Sequence, residues 1–370
     1  MTRLPDPRRF GADSGDNALS ALASVAGAGD EAAAAELRSQ VRRRLTTEDD
    51  AALYEALSAA PSDSVYRKLW STICAVAEGH DAGDSGAAIV ARPFAMPVIL
   101  VAGARRSLWV PGTLPDIAEV HALLERQGAV GATRNFGLSA ELTPLEALEH
   151  IRPSLVFRWN AAYTGGAMHG MAGAAIEVAP GREQAHLRFL LGAGITPAHL
   201  PSFLETAADI GRWGALFTRT LARQLAQSGL ELLPLARPPG TLLEAAPRGR
   251  RAVLETAFPL FASHALRTCR MAAGEPAVIV SAHREGQAAE VRISVSSMLD
   301  DALLEGFRWP LHPLDELGEI ASSIADLLEG CRVGDVRWMP RVLSESSLES
   351  AAAFISVRDF DRVADTPASH

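Results

Sequence analysis

A block of residues recurs at a fixed offset of two hundred: Trp109, Leu114, Ile117, Glu119 and Val120 are answered by Trp309, Leu314, Leu317, Glu319 and Ile320. Upstream of each block lies a helical pattern with a cysteine and, five residues on, a glycine: Cys74 with Gly79, and Cys269 with Gly274. An apolar, strand-like run follows in both cases. This shared order of helix, strand, tryptophan and helix restricts the chain to layered units that mix helix with sheet. Leu, Ile, Glu and Val recur on any amphipathic helix, and the distance from cysteine to tryptophan differs between the copies. A true duplication and two unrelated helices with ordinary core faces both fit the pattern.

The expected class is α+β (mixed α/β), a helical N-terminal region followed by two such α/β units with antiparallel hairpins. Residues 1–16 read as a flexible N-terminus and 17–80 as helices. Asp30 is the N-cap expected for DEAAAAELRSQVRRRL, and Thr47 with Asp50 opens the next helix as an S/T-x-x-acid start. Residues 81–160 form the first α/β unit. AAIVARPFAMPVILVAG there gives one or two strands broken near Pro93, TPLEALEHI a helix and SLVFRW a strand.

Residues 161–250 connect the units through a hairpin around Pro180 and Gly181, two helices ended by Gly229, and a loop, RPPGTLLEAAPRGRR. Residues 251–345 form the second unit, in which AEVRISVSS alternates cleanly, and 346–370 are a polar tail.

Composition excludes more than it suggests. Nearly half the residues (48%) are hydrophobic, which argues for an extensive core. A net charge of -9 opposes the attraction to phosphate on which nucleic-acid and anionic-membrane binders rely, so nucleic acid and membrane are not expected partners. The clusters Arg42 to Arg44 and Arg248 to Arg251 are the features that speak for a nucleic-acid module.

No run of about 18 apolar residues occurs, nor a secretory h-region. The three cysteines, Cys74, Cys269 and Cys331, are odd in number and lie in apolar surroundings. These features, with arginine-rich and alanine-rich usage, place the chain in the cytoplasm of a bacterium. Lys68 is the only lysine and follows no glycine-rich loop, which removes P-loop, protein-kinase and pyridoxal chemistry. No cofactor is expected, and no metal, since neither CxxC nor HExxH occurs.

Candidate chemistry is sparse. Gly83-Asp84-Ser85-Gly86 matches four residues around the nucleophile of chymotrypsin-like proteases but lacks a histidine-bearing partner segment and reads as a polar loop. Gly192-Ala193-Gly194 before Thr196-Pro197 reads as a tight turn in a strand-turn-helix setting. His283 falls at a hairpin tip. The most unusual local composition runs from Tyr163 to Gly170, where glycines allow close backbone approach. Arg158, Asn160, Tyr163 and His169 are the ligand-binding candidates of that region.

The function expected first is a non-catalytic interaction or assembly protein, an adaptor or scaffold that meets a protein partner or a second copy through hairpin edges at 171–191 and 277–296. The alternative is a small-molecule-binding enzyme or sensor with its site near 158–170.

Overall fold

The computed structural model describes residues 18–79, 89–103, 107–130, 133–163, 165, 174–181, 183–197, 207–233, 240–271, 274–285, 288–299, 301–343 and 354–365. Its class is α+β with a helical N-terminal region. Two compact units divide it, Ser14–Val253 and Leu254–His370.

The first unit opens with α1 (Ala18–Gly27), α2 (Glu31–Thr46), α3 (Asp50–Ser58) and α4 (Asp63–Ala77). Asp30 caps α2 by accepting from the Ala33 amide at 3.0 Å. The cap of α3 is Asp49 rather than Thr47, whose hydroxyl instead donates to Arg43 O and closes the end of α2. Glu48 between them takes a left-handed φ of 57°, so the next helix starts two residues later than the S/T pattern predicts. Leu37, Val41 and Leu45 of α2, Leu53 and Leu57 of α3, and Leu69 and Ile73 of α4 fall at helical spacing and are fully or nearly fully buried together.

That apolar layer packs on one face of a four-stranded antiparallel sheet. Its strands are β1 (Ile89–Ala102), β3 (Arg134–Pro144), β5 (Gln184–Pro197) and the short β6 (Glu231–Leu232), in the order β3-β5-β1-β6. Ala95, Leu187, Phe189 and Leu191 face the N-terminal helices. Phe94, Met96, Val98, Leu100 and Leu190 face a second cluster built with α5 (Ile117–Arg126) and α8 (Ala207–Gln224). Burial on both faces explains why β1 reads as a continuous apolar run instead of an alternating one. Between the long strands lie β2 (Leu108–Val110), α6 (Leu145–Glu149), α7 (Pro153–Ala162) and β4 (Ile176–Val178).

β1 is one strand of 14 residues, unbroken at Pro93 and Pro97. Ala95 exchanges backbone hydrogen bonds with Gly240, and Ile99 O accepts from Leu233, both on the side away from β5. By alternation Pro93 and Pro97 sit where the missing amide would face that same outer side, so neither costs the ladder a bond.

Three further expectations fail for reasons of partnership. The hairpin around Pro180 and Gly181 does not form, because β4 pairs with β2 and β5 pairs with β1 and β3. SLVFRW is helical, in α7, with Pro153 at the first turn and the buried Asp50 accepting from the Ser154 amide at 2.9 Å and from its hydroxyl. The loop RPPGTLLEAAPRGRR is helical from Leu242, the start of α9 (Leu242–Met271). Replacing Asp50 by alanine would leave two buried donors of Ser154 unpaired, and a loss of about 2 kcal/mol is expected in urea unfolding.

The second unit holds the sheet β10-β7-β8-β9, formed by β7 (Pro276–Glu285), β8 (Ala288–Ser297), β9 (Leu303–Pro310) and β10 (Asp335–Leu343). The β7–β8 hairpin is antiparallel over its length, as its alternation suggests, and β10 joins β7 in parallel. Val278, Val280, Val291, Ile293 and Val295 pack with Phe258, Phe261 and Leu266 of α9 and with Ile320 and Ile324 of α10 (Leu317–Gly330). On the opposite face α11 (Val357–Asp365) covers Ala277 and Ile279 of β7 and Met339 of β10.

The echo survives in part. α5 and α10 begin at Ile117 and Leu317, the same offset, and Val120 and Ile320 are both fully buried. The tryptophans part company: Trp109 is 56% exposed on β2, whereas Trp309 is 2% exposed on β9. The two sheets also differ in strand order and in strand direction. The likeness reaches the start and buried face of one helix, but not its cap, since Asp116 accepts from the Glu119 amide and Glu316 makes no such bond, and not the sheets. No helix among the described residues is long and apolar enough to cross a membrane.

Candidate functional site

Arg158, Asn160 and Tyr163 lie on and just after the second half of α7, and each is engaged by a different neighbour. Arg158 Nη1 donates to Glu48 Oε1 at 2.6 Å on the exposed surface. Asn160 Nδ2 approaches Ala77 O at 3.5 Å and packs over Gly79, whose φ of +73° ends the chain turn after α4. A Cβ on Gly79 would stand 2.5 Å from that amide nitrogen, the movable end of the Asn160 side chain, so the glycine is needed chiefly for its left-handed backbone. The Tyr163 hydroxyl lies 2.7 Å from Asn135 O and 3.0 Å from Ala193 O, where it ties β3 to β5, and burial raises its pKa. His169 and Gly83 to Gly86 lie outside the described residues.

Gly192 and Gly194 are inside β5, not in a turn. A Cβ on Gly192 would come within 2.2 Å of Phe94 Cζ and 2.7 Å of Gly137 O, and one on Gly194 within 2.0 Å of Thr133 Cγ2. These glycines serve close packing between strands and their neighbours rather than an anion.

A cavity of about 250 Å³ opens beside the first turns of α9, lined by Ala95 and Pro97 of β1, Phe189 of β5, Gly240, and Ala245, Arg248, Gly249 and Ala252 of α9. α9 approaches the sheet closely there, since a Cβ on Gly249 would meet Phe189 Cζ at 2.5 Å and Leu187 Cδ2 at 2.7 Å. Arg248 Nη2 donates to Glu244 at 2.7 Å, one turn away on the same helix. Its neighbour Arg250 donates to Glu149 at 2.5 Å, so these two arginines of the basic cluster are committed to carboxylates.

Near the start of α9 sits Glu78, only 1% exposed. Its Oε1 accepts from the Leu243 amide at 2.8 Å, supplying from 165 residues away the cap that the N-terminus of α9 needs. Burial pushes its carboxyl up to about 8, against the downward pull of the Leu243 amide and the Thr241 side chain. Nothing local marked this residue, because its partner is distant in sequence.

In the second unit the sheet carries a polar strip on the face opposite its aromatic core. Ser281 lies opposite Arg292 and His283 opposite Glu290 across the β7–β8 ladder. Ser281 Oγ is 2.8 Å from His283 Nε2, and Arg292 Nε donates to Glu290 Oε1. His283 is thus interior, 1% exposed, not at a hairpin tip. Burial and the nearby Arg292 and Arg308 push its pKa down to about 3, which keeps the ring neutral and leaves it little basicity. With both side chains sealed from solvent, this pair ties neighbouring strand residues together instead of activating a nucleophile. Among the described residues, no group of three His, Cys, Asp or Glu side chains is placed to hold a metal ion.

The strand edges differ in their protection. The outer side of β3 is engaged by residues 112–114, with Leu114 N donating to Ala140 O and Leu142 N to Gly112 O, both at 2.8 Å. β10 carries Pro340 and a register shift between Trp338 and Val342. β9 pairs with β8 alone among the described residues, and its ladder is regular from Glu305 to Pro310. Leu311 donates inward to Ala289 O, so by alternation Gly306 and Arg308 turn their amides outward. Beside this edge the β8–β9 turn exposes Met298 (44%), Leu299 (74%) and Leu303 (39%). Comparison with family models, curated proteins and solved structures finds no match for the chain.

Proposed function

We propose that this chain is a non-catalytic interaction protein that receives an extended protein segment on the outer edge of β9. The observation that carries the reading is the contrast between edges. Residues 112–114 cover the outer side of β3, and β10 carries Pro340 with a register shift inside the strand, usual means by which sheets resist unwanted pairing. β9 turns the amides of Gly306 and Arg308 outward, between a register shift at Val295/Ser296 and Pro310 at its end, with Met298, Leu299 and Leu303 exposed beside it. Strand addition supplies main-chain hydrogen bonds along such an edge, and apolar side chains next to it provide anchorage. The partner is a strand-forming segment of another protein or of a second copy, and a bacterial cytoplasm is the setting proposed for the encounter.

The hairpin edges named from sequence move accordingly. β7 and β8 are both interior to their sheet, so the edge offered is the next strand along.

Two substitutions at one position test this. Arg308→Pro removes an outward amide without removing a ladder bond, whereas Arg308→Ala removes only the side chain. Affinity capture with a photo-crosslinker at position 303 should recover the same partner with wild type and Arg308→Ala, crosslinked to β9. Capture by Arg308→Pro should fall roughly tenfold or more, the scale of a lost main-chain hydrogen bond plus steric block. A strictly monomeric wild type that captures nothing, or equal capture by all three, would defeat the proposal.

A further inference from the structure

We infer that the cavity beside α9 is a binding site for a short acyl compound, an alkyl chain of about six to eight carbons ending in a carbonyl acceptor. The argument begins with size. A cavity of 150 Å³ is known to hold benzene, so about 250 Å³ accommodates a chain of that length. Its walls are hydrocarbon: Ala95, Pro97, Phe189, Ala245 and Ala252. Water there would find few hydrogen-bond partners.

The cavity persists because of small residues at facing positions. Gly249 lets α9 lie against Phe189 and Leu187, while Ala245 and Ala252, one turn before it and one after, leave room on either side. Among the described lining residues, Arg248 is the one with a polar side chain. It lines the mouth, about half-exposed, and its Nη1 runs beside Gly240, 3.6 Å from where a Cβ would stand.

Since Nη2 already serves Glu244, the guanidinium is neutralised and offers a donor more than a net positive charge. A carbonyl is the head group that such a donor recognises, whether in an amide or a carboxylate, and an ammonium head finds no acceptor among the lining side chains. This site lies within the first unit and does not depend on the β9 reading.

The full-length chain should be titrated with octanamide, octanoate and octylamine, following melting temperature and calorimetric heat. Octanamide or octanoate is expected to raise the melting temperature by a few degrees, octylamine not. The two acyl arms separate a neutral head from an acid. Ala252→Leu and Ala245→Val fill the space, so each should retain the fold and lose binding. Arg248→Met should keep the chain but weaken binding roughly tenfold and erase the preference for a carbonyl head. No binding by either acyl compound at millimolar concentration would overturn the assignment, as would undiminished binding by a folded filled variant. Arg308→Pro should leave this binding unchanged.

Discussion

Measured against Glu78→Gln, the wild-type chain should lose roughly 4 kcal/mol of stability between pH 5 and pH 9, His283 and the other titrating groups contributing equally to both chains. The sign follows from the direction of the shift. Burial raises the folded-state pKa of Glu78 from 4.5 to about 8, so the folded state keeps a proton that the unfolded state gives up. Its stability is therefore fully present below pH 4.5 and drains away as pH rises through 8. Glutamine keeps the oxygen that accepts from the Leu243 amide and cannot ionise, so the cap of α9 remains and the part of the pH dependence that comes from this carboxyl goes. Urea midpoints of both chains at pH 5, 7 and 9 are the measurement. Parallel curves for the two would show that the carboxyl is ionised in the folded state throughout.

Gly192→Val is expected to be the most damaging single change, at about 3 kcal/mol or more. Its Cβ would meet Phe94 Cζ at 2.2 Å and the backbone oxygen of Gly137 at 2.7 Å. Phe94 is itself stacked on Phe136 at 5.6 Å and has nowhere to swing. Gly194→Val should cost less, because the nearest atom is the Thr133 methyl, the end of a side chain that can rotate. Shortening Phe94 in the same chain, Phe94→Ala with Gly192→Val, should destabilise by less than the sum of the two, which thermal unfolding of the four chains would read out.

These two residues mark where reading from the sequence stops. Local signals were legible: Asp30 caps its helix, Gly229 closes a helical segment with φ of +70°, and the alternation of β8 finds its partner in β7. Each depends on atoms within a few residues. The strand β5 was legible, but its neighbours were not, because Pro180 and Gly181 suggest a hairpin and the choice of β1 instead is made by burial on both faces. Glycines in β5 looked like a turn since bareness for packing and freedom for turning leave the same letter.

Glu78, Leu243 and Phe189 meet only after folding, so neither the cap of α9 nor the cavity beside it has a local signature. Of the ligand-binding candidates near 158–170, Arg158 and Asn160 lie on α7 and Tyr163 just after it. Their partners, Glu48, Ala77 and Ala193, pull them to separate sides of α7.

Polymer chemistry distinguishes monomers by how many ends can react, and under the proposed reading the sheet of the second unit would have one such end. If two copies joined through β9, the outermost strands of the product would both be β10, with Pro340 and its misaligned register facing any newcomer. Growth would terminate at a pair. Under the proposed pairing, the difference between β9 and β10 would then hold a crowded solution of this protein at pairs rather than fibres.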